Sequence, residues 1–115
     1  MNKKKIQFLT FNDGVINVFD TDDDDEIISD TRCSYKFGDR TVGVKRFYEA
    51  YQHDIELVKV IHIHYLPSIT TQKAAVIGET RYNIEQVQHD KNAHPRCTVL
   101  SLSQRGLYEG EYSDL

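Results

Sequence analysis

The segment IELVKVIHIHYL, residues 55–66, constrains the fold more than any other part of the chain. Its residues alternate between two faces: Leu57, Lys59, Ile61, Ile63 and Tyr65 on one, and Val58, Val60, His62, His64 and Leu66 on the other. β-Branched residues are dense here, and they favour the pleated surface of a sheet. Pro67 and Ser68 then turn the chain. The segment predicts a long central β-strand.

Other segments also have strand patterns separated by turn signals. KIQFLTF at 5–11 and VINVFD at 15–20 flank an Asn-Asp-Gly turn, which predicts a hairpin. TRCSYKF at 31–37 alternates cleanly, and Gly38 to Arg40 is expected to end that strand. Residues 73–88 predict two strands around a turn at Gly78-Glu79, with a bulge near Glu85 because the apolar alternation breaks there.

RCTVLSLSQ at 96–104 predicts a last strand, and an acidic tail follows over 106–115. The count is six or seven strands in one mainly β domain over 1–105. A chain of 115 residues with that many strands is expected to close into a small barrel or sandwich.

One short helix is predicted among the strands, over about 43–52. Val44, Phe47, Tyr48 and Tyr51 follow the i, i+3, i+4, i+7 spacing of a helical apolar stripe. A helix of two or three turns does not persist alone in water, so the stripe is expected to pack on the barrel. An aromatic nucleic-acid platform is a weaker interpretation because of the acidic net charge. A membrane anchor is weaker still, because the element is short and carries only Lys45 and Arg46 as cations.

Charge and composition narrow the function classes. The net charge of −4 disfavours a dedicated nucleic-acid-binding protein. The N-terminal sequence does not have the pattern of a signal peptide, and no apolar run is long enough for a membrane span, so an intracellular protein without membrane contact is expected. Cys33 and Cys97 are expected to be free thiols.

The acidic run Asp22 to Glu26 predicts a solvated loop, because adjacent like charges repel one another. Calcium binding is the more specific alternative, but the run lacks the ligand spacing and the glycine of a calcium loop.

The histidines raise the possibility of a metal site. His62 and His64 share a strand face, and His89, Asp90, His94 and Cys97 lie close together in sequence. Neither group has a recognised ligand spacing, and the alternative is that these histidines lie on a wetter sheet face and in a loop. Cys97 near His94 lacks the surrounding motif of a nucleophile. The sequence therefore predicts no catalytic residue, no metal and no cofactor.

The order of the elements in RTVGVKRFYEAYQHDIELVKVIHIHYLPSITTQKAAVIGETRYNIEQVQHD, followed by CTVLSLSQ, resembles the head-closure proteins of tailed bacteriophages and prophages, also called head–tail joining, adaptor or stopper proteins. The resemblance covers Thr41 to Gln104. It implies a small β-barrel with an inserted helix and long loops. It also implies a virion-neck protein made in the bacterial cytoplasm, which assembles as a ring, commonly of twelve subunits in that family.

In such a ring the implied partners are a portal or connector adaptor on one side and a tail-completion or tail protein on the other, with packaged double-stranded DNA passing through. Three segments are candidates for channel or assembly loops. They are the acidic run (Asp22, Asp23, Asp24, Asp25 and Glu26), the 36–42 turn (Lys36, Gly38, Asp39 and Arg40) and the 67–74 connection (Pro67, Ser68, Thr70, Thr71, Gln72 and Lys73).

Three alternatives remain open. The first is a tail-completion or tail-terminator subunit of the same phage. The second is a barrel that binds single-stranded nucleic acid by stacking bases on Tyr35, Phe37, Tyr65 and Tyr82. The third is a metal-dependent enzyme that uses the histidines.

Overall fold

The computed structural model describes residues 8–40 and 57–107, and over these ranges the protein is a closed antiparallel β-barrel. Its strands are β1 (Gly14–Phe19), β2 (Cys33–Arg40), β3 (Leu57–His64), β4 (Ala74–Ile77), β5 (Thr80–Asp90) and β6 (Cys97–Leu107). They follow one another around the barrel as β1-β2-β3-β6-β5-β4, and β4 pairs with β1 to close it. The prediction of a small, mainly β barrel is confirmed.

Two predicted elements lie outside the described residues. One is the helix over about 43–52 with its stripe of Val44, Phe47, Tyr48 and Tyr51. The other is most of the acidic tail, because β6 continues to Leu107 and the description ends there.

The barrel interior is filled by aliphatic side chains from alternating strand positions. Ile16 and Val18 on β1 meet Ile61 and Ile63 on β3 and the alternate leucines of β6, and all are almost completely buried. Each such side chain stabilises the fold by about 1.5–3 kcal/mol relative to an exposed one. This interior is the main core of the protein.

Parts of the outer barrel surface are also covered, which explains why several strands are apolar on both faces. On one flank Phe19, Ala74 and Val76 form a second cluster beneath Ile27. On the opposite flank Val60, Cys97 and Val99 form a third cluster, against which Leu9 and Ala93 pack. The loop after β1 and the segment before β1 therefore act as external covers of the barrel.

The connection from β3 to β4 crosses one end of the barrel, because β6 and β5 lie between these two strands. It runs from Tyr65 to Lys73, and Ile69 on it is buried within the interior cluster. The connection thereby closes that end with an apolar side chain.

The predictions for the second half of the chain are confirmed in detail. β3 lies between β2 and β6, as expected of a central strand. β4 and β5 are joined by the predicted two-residue turn, in which Gly78 has a φ of +61°, a value that favours glycine. The register between β5 and β6 shifts between Ile84 and Gln86, so Glu85 is the bulged residue.

The predicted hairpin at the start of the chain is wrong for the residues that are described. β1 pairs with β2 on one side and with β4 on the other, so neither side is available to residues 8–11. Phe8 forms a bridge to His94 instead, and the Leu9 amide donates to the His94 carbonyl over 2.7 Å. The Asn-Asp-Gly sequence turns the chain into the barrel without pairing its two flanks.

The predicted turn over 36–42 is also wrong where it is described. β2 continues through Lys36, Gly38, Asp39 and Arg40, and its last three residues pair with β3 opposite His62, Ile61 and Val60. Gly38 lies inside the strand because a neighbouring side chain approaches it closely, as described below.

Candidate functional site

The acidic run forms a compact turn that its own first carboxylate holds together. Asp22 Oδ1 accepts hydrogen bonds from the amides of Asp24 (2.9 Å) and Glu26 (3.0 Å). The Asp22 amide donates to the Glu26 carbonyl (2.9 Å), and the Asp25 amide donates to the Asp22 carbonyl (3.0 Å). All five side chains from Asp22 to Glu26 are exposed, as the sequence predicted, but the backbone of the loop is fixed.

Asp25 attaches this loop to the barrel. Its φ is +62°, a conformation that aspartate tolerates better than most residues, and its carboxylate faces two arginines of the sheet. Asp25 Oδ2 accepts from Arg105 Nη1 on β6, and Asp25 Oδ1 lies 3.6 Å from Arg81 Nη2 on β5. Arg81 Nη2 also donates to the Asp25 carbonyl over 3.0 Å.

Arg81 is the more buried of the two arginines, with a side chain only 12% exposed. Burial lowers the pKa of Arg81, repulsion from Arg105 lowers it further, and the carboxylates of Asp25 and Glu26 oppose both effects. Its Nε is buried and has no hydrogen-bond partner among the described residues. The Arg81 guanidinium therefore depends on the acidic loop for its compensating charge.

The 65–73 connection meets the acidic loop at the same flank of the barrel. Lys73 at its end forms an ion pair with Asp20, which immediately precedes the loop. The two segments enclose an open groove of about 570 Å³ over the outer face of β4 and β5. Its polar lining consists mainly of Asp22, Asp23, Asp25, Thr71, Gln72, Lys73, Arg81, Asn83, Glu85 and Arg105.

The structure thus brings together two of the three predicted loop segments. Five residues of the connection are exposed, namely Pro67, Ser68, Thr70, Thr71 and Gln72. Thr71, Gln72 and Lys73 line the groove together with the acidic loop. The third segment lies on β2, where Lys36 and Asp39 are exposed and Asp39 pairs with Lys59 at 2.8 Å.

A second polar cluster lies beneath the N-terminal segment, around His62. The ring nitrogen Nε2 of this buried histidine lies 2.7 Å from the Thr10 carbonyl oxygen, and Arg40 Nε donates to Nδ1 over 3.1 Å. A carbonyl oxygen can only accept, so Nε2 donates to it, and Nδ1 accepts from the Arg40 guanidinium. Phe11 packs edge-on to His62 and stacks on His64, with ring centroids 5.0 and 3.8 Å apart respectively.

Gly38 makes this arrangement possible. A Cβ at position 38 would lie 2.6 Å from His62 Cε1 and still closer to His62 Nε2 and the Thr10 carbonyl oxygen. The expectation that His62 lies on a wetter face is therefore wrong. It is 5% exposed and attaches the segment before β1 to the barrel.

The described part of the chain contains no group of three histidine, cysteine or acidic side chains arranged to hold a metal ion. His62 is engaged as above, and His89 Nδ1 lies 2.9 Å from the Thr98 hydroxyl. Burial raises the pKa of the Cys97 thiol, although the nearby Arg40 cation opposes the shift. Arg40 Nη2 lies 3.6 Å from Cys97 Sγ, but the Cys97 side chain is completely buried, which fits a packed thiol better than a nucleophile.

The four aromatic side chains considered for base stacking are in different environments. Phe37 is 2% exposed, and Tyr35 and Tyr82 pack against the interior cluster. Tyr65 is half-buried at the barrel end, with Lys91 Nζ 5.9 Å from its ring centroid. They do not form a continuous stacking surface.

Comparison with protein-family models, with curated proteins and with solved structures finds no significant match. None of the described helical residues forms an element long and apolar enough to cross a membrane.

Proposed function

We propose that this protein is a structural component of a bacteriophage neck, where a ring of its subunits joins head to tail and closes the portal channel over packaged DNA. The sequence resemblance over Thr41 to Gln104 supplies the class of function. The barrel architecture agrees with what that resemblance implies.

The observation that carries the proposal is the meeting of the acidic loop and the 65–73 connection at one flank of a closed barrel. Asp25 is fixed to Arg81 and Arg105, and Lys73 is fixed to Asp20. The barrel thus presents two shaped, highly polar segments. Such segments lose little conformational freedom when they contact another subunit or a neighbouring neck protein.

The charge of this flank suits DNA that passes without being gripped. Carboxylates of this flank that no subunit contact covers repel phosphate groups, so an acidic lining lets duplex DNA slide, while a physical obstruction can still hold it. The portal or adaptor on one side and the tail on the other are the proposed partners, and no catalytic step is required.

The proposal is tested by shortening each segment in a phage that carries this gene. Residues 22–26 and residues 70–72 would each be replaced by a short Gly-Ser linker, which leaves the buried Ile69 and the Lys73–Asp20 ion pair in place, and DNA release from filled heads would be measured with a nuclease and a DNA-binding dye. Loss of DNA from either variant is the expected result. Normal DNA retention and normal tail attachment in both would contradict the proposed roles of the two segments.

A further inference from the structure

The β5–β6 ribbon carries segments of opposite charge at its two ends. At one end the loop Asp22–Glu26, here called the acidic pole, is held by Arg81 and Arg105. At the other end β5 and β6 are joined by residues 91–96, here called the basic pole. Asp90 lies nine positions after Arg81 along β5. At about 3.3 Å per residue, the poles are about 30 Å apart.

The basic pole carries two exposed cations, Lys91 and Arg96. Neither has a carboxylate partner within residues 8–40 and 57–107, whereas Lys59, Lys73, Arg81 and Arg105 each have one. The nearest acidic residue in sequence is Asp90, whose Oδ1 accepts from the amides of Asn92 (3.0 Å) and Ala93 (3.2 Å). Asp90 therefore shapes the loop, and among the described residues no carboxylate competes with an external anion for Lys91 and Arg96.

The acidic pole, in turn, carries two carboxylates that are not paired with a cation among the described residues. Asp22 is used to hold the turn and Asp25 to bind the two arginines. Asp23 and Asp24 are exposed and have no cationic partner in the part of the chain that the structure describes. Both poles are thus preorganised, which lowers the entropic cost of bringing them together.

The two poles cannot neutralise each other within one subunit. The Debye length is about 8–10 Å at physiological ionic strength, and the separation along the ribbon is about three times that. A second copy removes the limitation, because its acidic pole can lie against the basic pole of the first.

We propose that copies of this chain associate head to tail, with Lys91 and Arg96 of one copy against Asp23 and Asp24 of the next. The contact joins two different patches, so it is heterologous and repeats from subunit to subunit, which forms a ring where the rotation between neighbours closes. It specifies the subunit contact of the neck ring and so rests on the proposed function. Nucleic acid is the less favoured occupant of the basic pole, because two permanent cations on a chain of net charge −4 give weak attraction to phosphate.

The test uses purified full-length protein and charge reversal. One variant carries K91E and R96E, another carries D23K and D24K, and a third carries all four changes. The third variant is matched to the wild type in net charge, since −4 − 4 + 4 equals −4. Self-association is measured by sedimentation velocity from micromolar to millimolar concentration at low and high ionic strength, with circular dichroism to establish folding. K36E is the control for an exposed cation of β2 outside both poles.

The wild type, K36E and the fourfold variant are expected to associate at low ionic strength and less so at high. Each double variant alone should associate at least about tenfold more weakly, because like charges then meet. Mixing the two double variants should restore association, since each supplies the partner that the other lacks.

Three results would overturn the proposal: a wild type that stays monomeric at every concentration, a fourfold variant as weak as the double variants, or K91E/R96E that associates normally but no longer binds a fluorescent DNA duplex. The last would assign the basic pole to nucleic acid. If the protein associates as expected but is absent from phage particles, the neck function is refuted and the proposed contact between copies is still supported.

Discussion

Gly38 provides the most sensitive test of how the segment before β1 is attached to the barrel. Replacing it with alanine adds one methyl group, which would lie 2.6 Å from His62 Cε1 and closer to Nε2 and the Thr10 carbonyl oxygen. Ordinary carbon contacts are about 3.5–4.0 Å, so the imidazole and the carbonyl must move apart. The movement breaks the 2.7 Å hydrogen bond between them at a buried position.

Two costs determine how much G38A destabilises the protein. Leaving a buried donor or acceptor without a partner costs about 1–3 kcal/mol. Overpacking of a well-packed site adds about 1–3 kcal/mol. Together they give an expected loss of about 2–6 kcal/mol in the free energy of unfolding of G38A. Without these contacts the same substitution would stabilise the protein by about 0.4–1 kcal/mol, because alanine restricts the unfolded chain. The change in stability therefore has opposite signs with and without the close approach of His62.

The assay is urea unfolding followed by circular dichroism, with H62A and the double variant H62A/G38A measured beside G38A. Removing the imidazole eliminates two of the three close contacts, so G38A should cost at least about 1 kcal/mol less in the H62A background. K36A, on the exposed face of the same strand, should change stability by no more than about 0.5 kcal/mol. Unchanged or increased stability of G38A would refute the proposed arrangement around His62.

Four other perturbations test separate parts of the structure. D25N should cost about 1 kcal/mol in urea unfolding, a modest value because the carboxylate is 57% exposed, whereas D24N should be neutral; equal effects would contradict the anchoring role of Asp25. I69A should cost about 2–5 kcal/mol through the cavity it leaves in the barrel end, and a loss below 1 kcal/mol would show that the end is not closed by this side chain. With a thiol reagent at pH 8, the exposed Cys33 should react at once and the buried Cys97 only on unfolding. Burial raises the pKa of Cys97 above its unfolded value, so the contribution of this thiol to stability is complete below the ordinary thiol pKa of about 8.5 and is lost as the pH rises above it. The measurement compares the stability of the wild type with that of C97A over this pH range, and C97A should lack the alkaline loss.

The sequence predicted the second half of the barrel well because its signals there are local. The alternation in β3, the glycine at the β4–β5 turn and the broken period at Glu85 each act within a few residues. No tertiary contact is needed to interpret them.

The predictions failed where the conformation of a residue is determined by a contact with residues distant in sequence. Gly38 followed by Asp39 has the composition of a turn, and only the approach of His62 from the neighbouring strand explains a glycine inside β2. The Asn-Asp-Gly sequence before β1 likewise resembles a hairpin turn, but the strand that pairs with β1 on its second side is β4, about sixty residues later.

The candidate site was predicted in part. The acidic run was identified as a loop, but its anchors Arg81 and Arg105 are 56 and 80 residues from Asp25 in sequence. Each is the only arginine or lysine on its strand, which is the one local signal of a specific role. Their convergence on Asp25 depends on the closure of the barrel and could not be obtained from spacing.

The central claim is that this protein closes the phage head and joins it to the tail. Electron microscopy of lysates from a phage that lacks the gene tests it most directly. The account predicts separate, normal tails beside tailless heads that have lost their DNA. Tailless heads that remain full, together with abnormal tails, would contradict head closure and favour tail completion, and normal infectious particles would contradict any structural role in the neck.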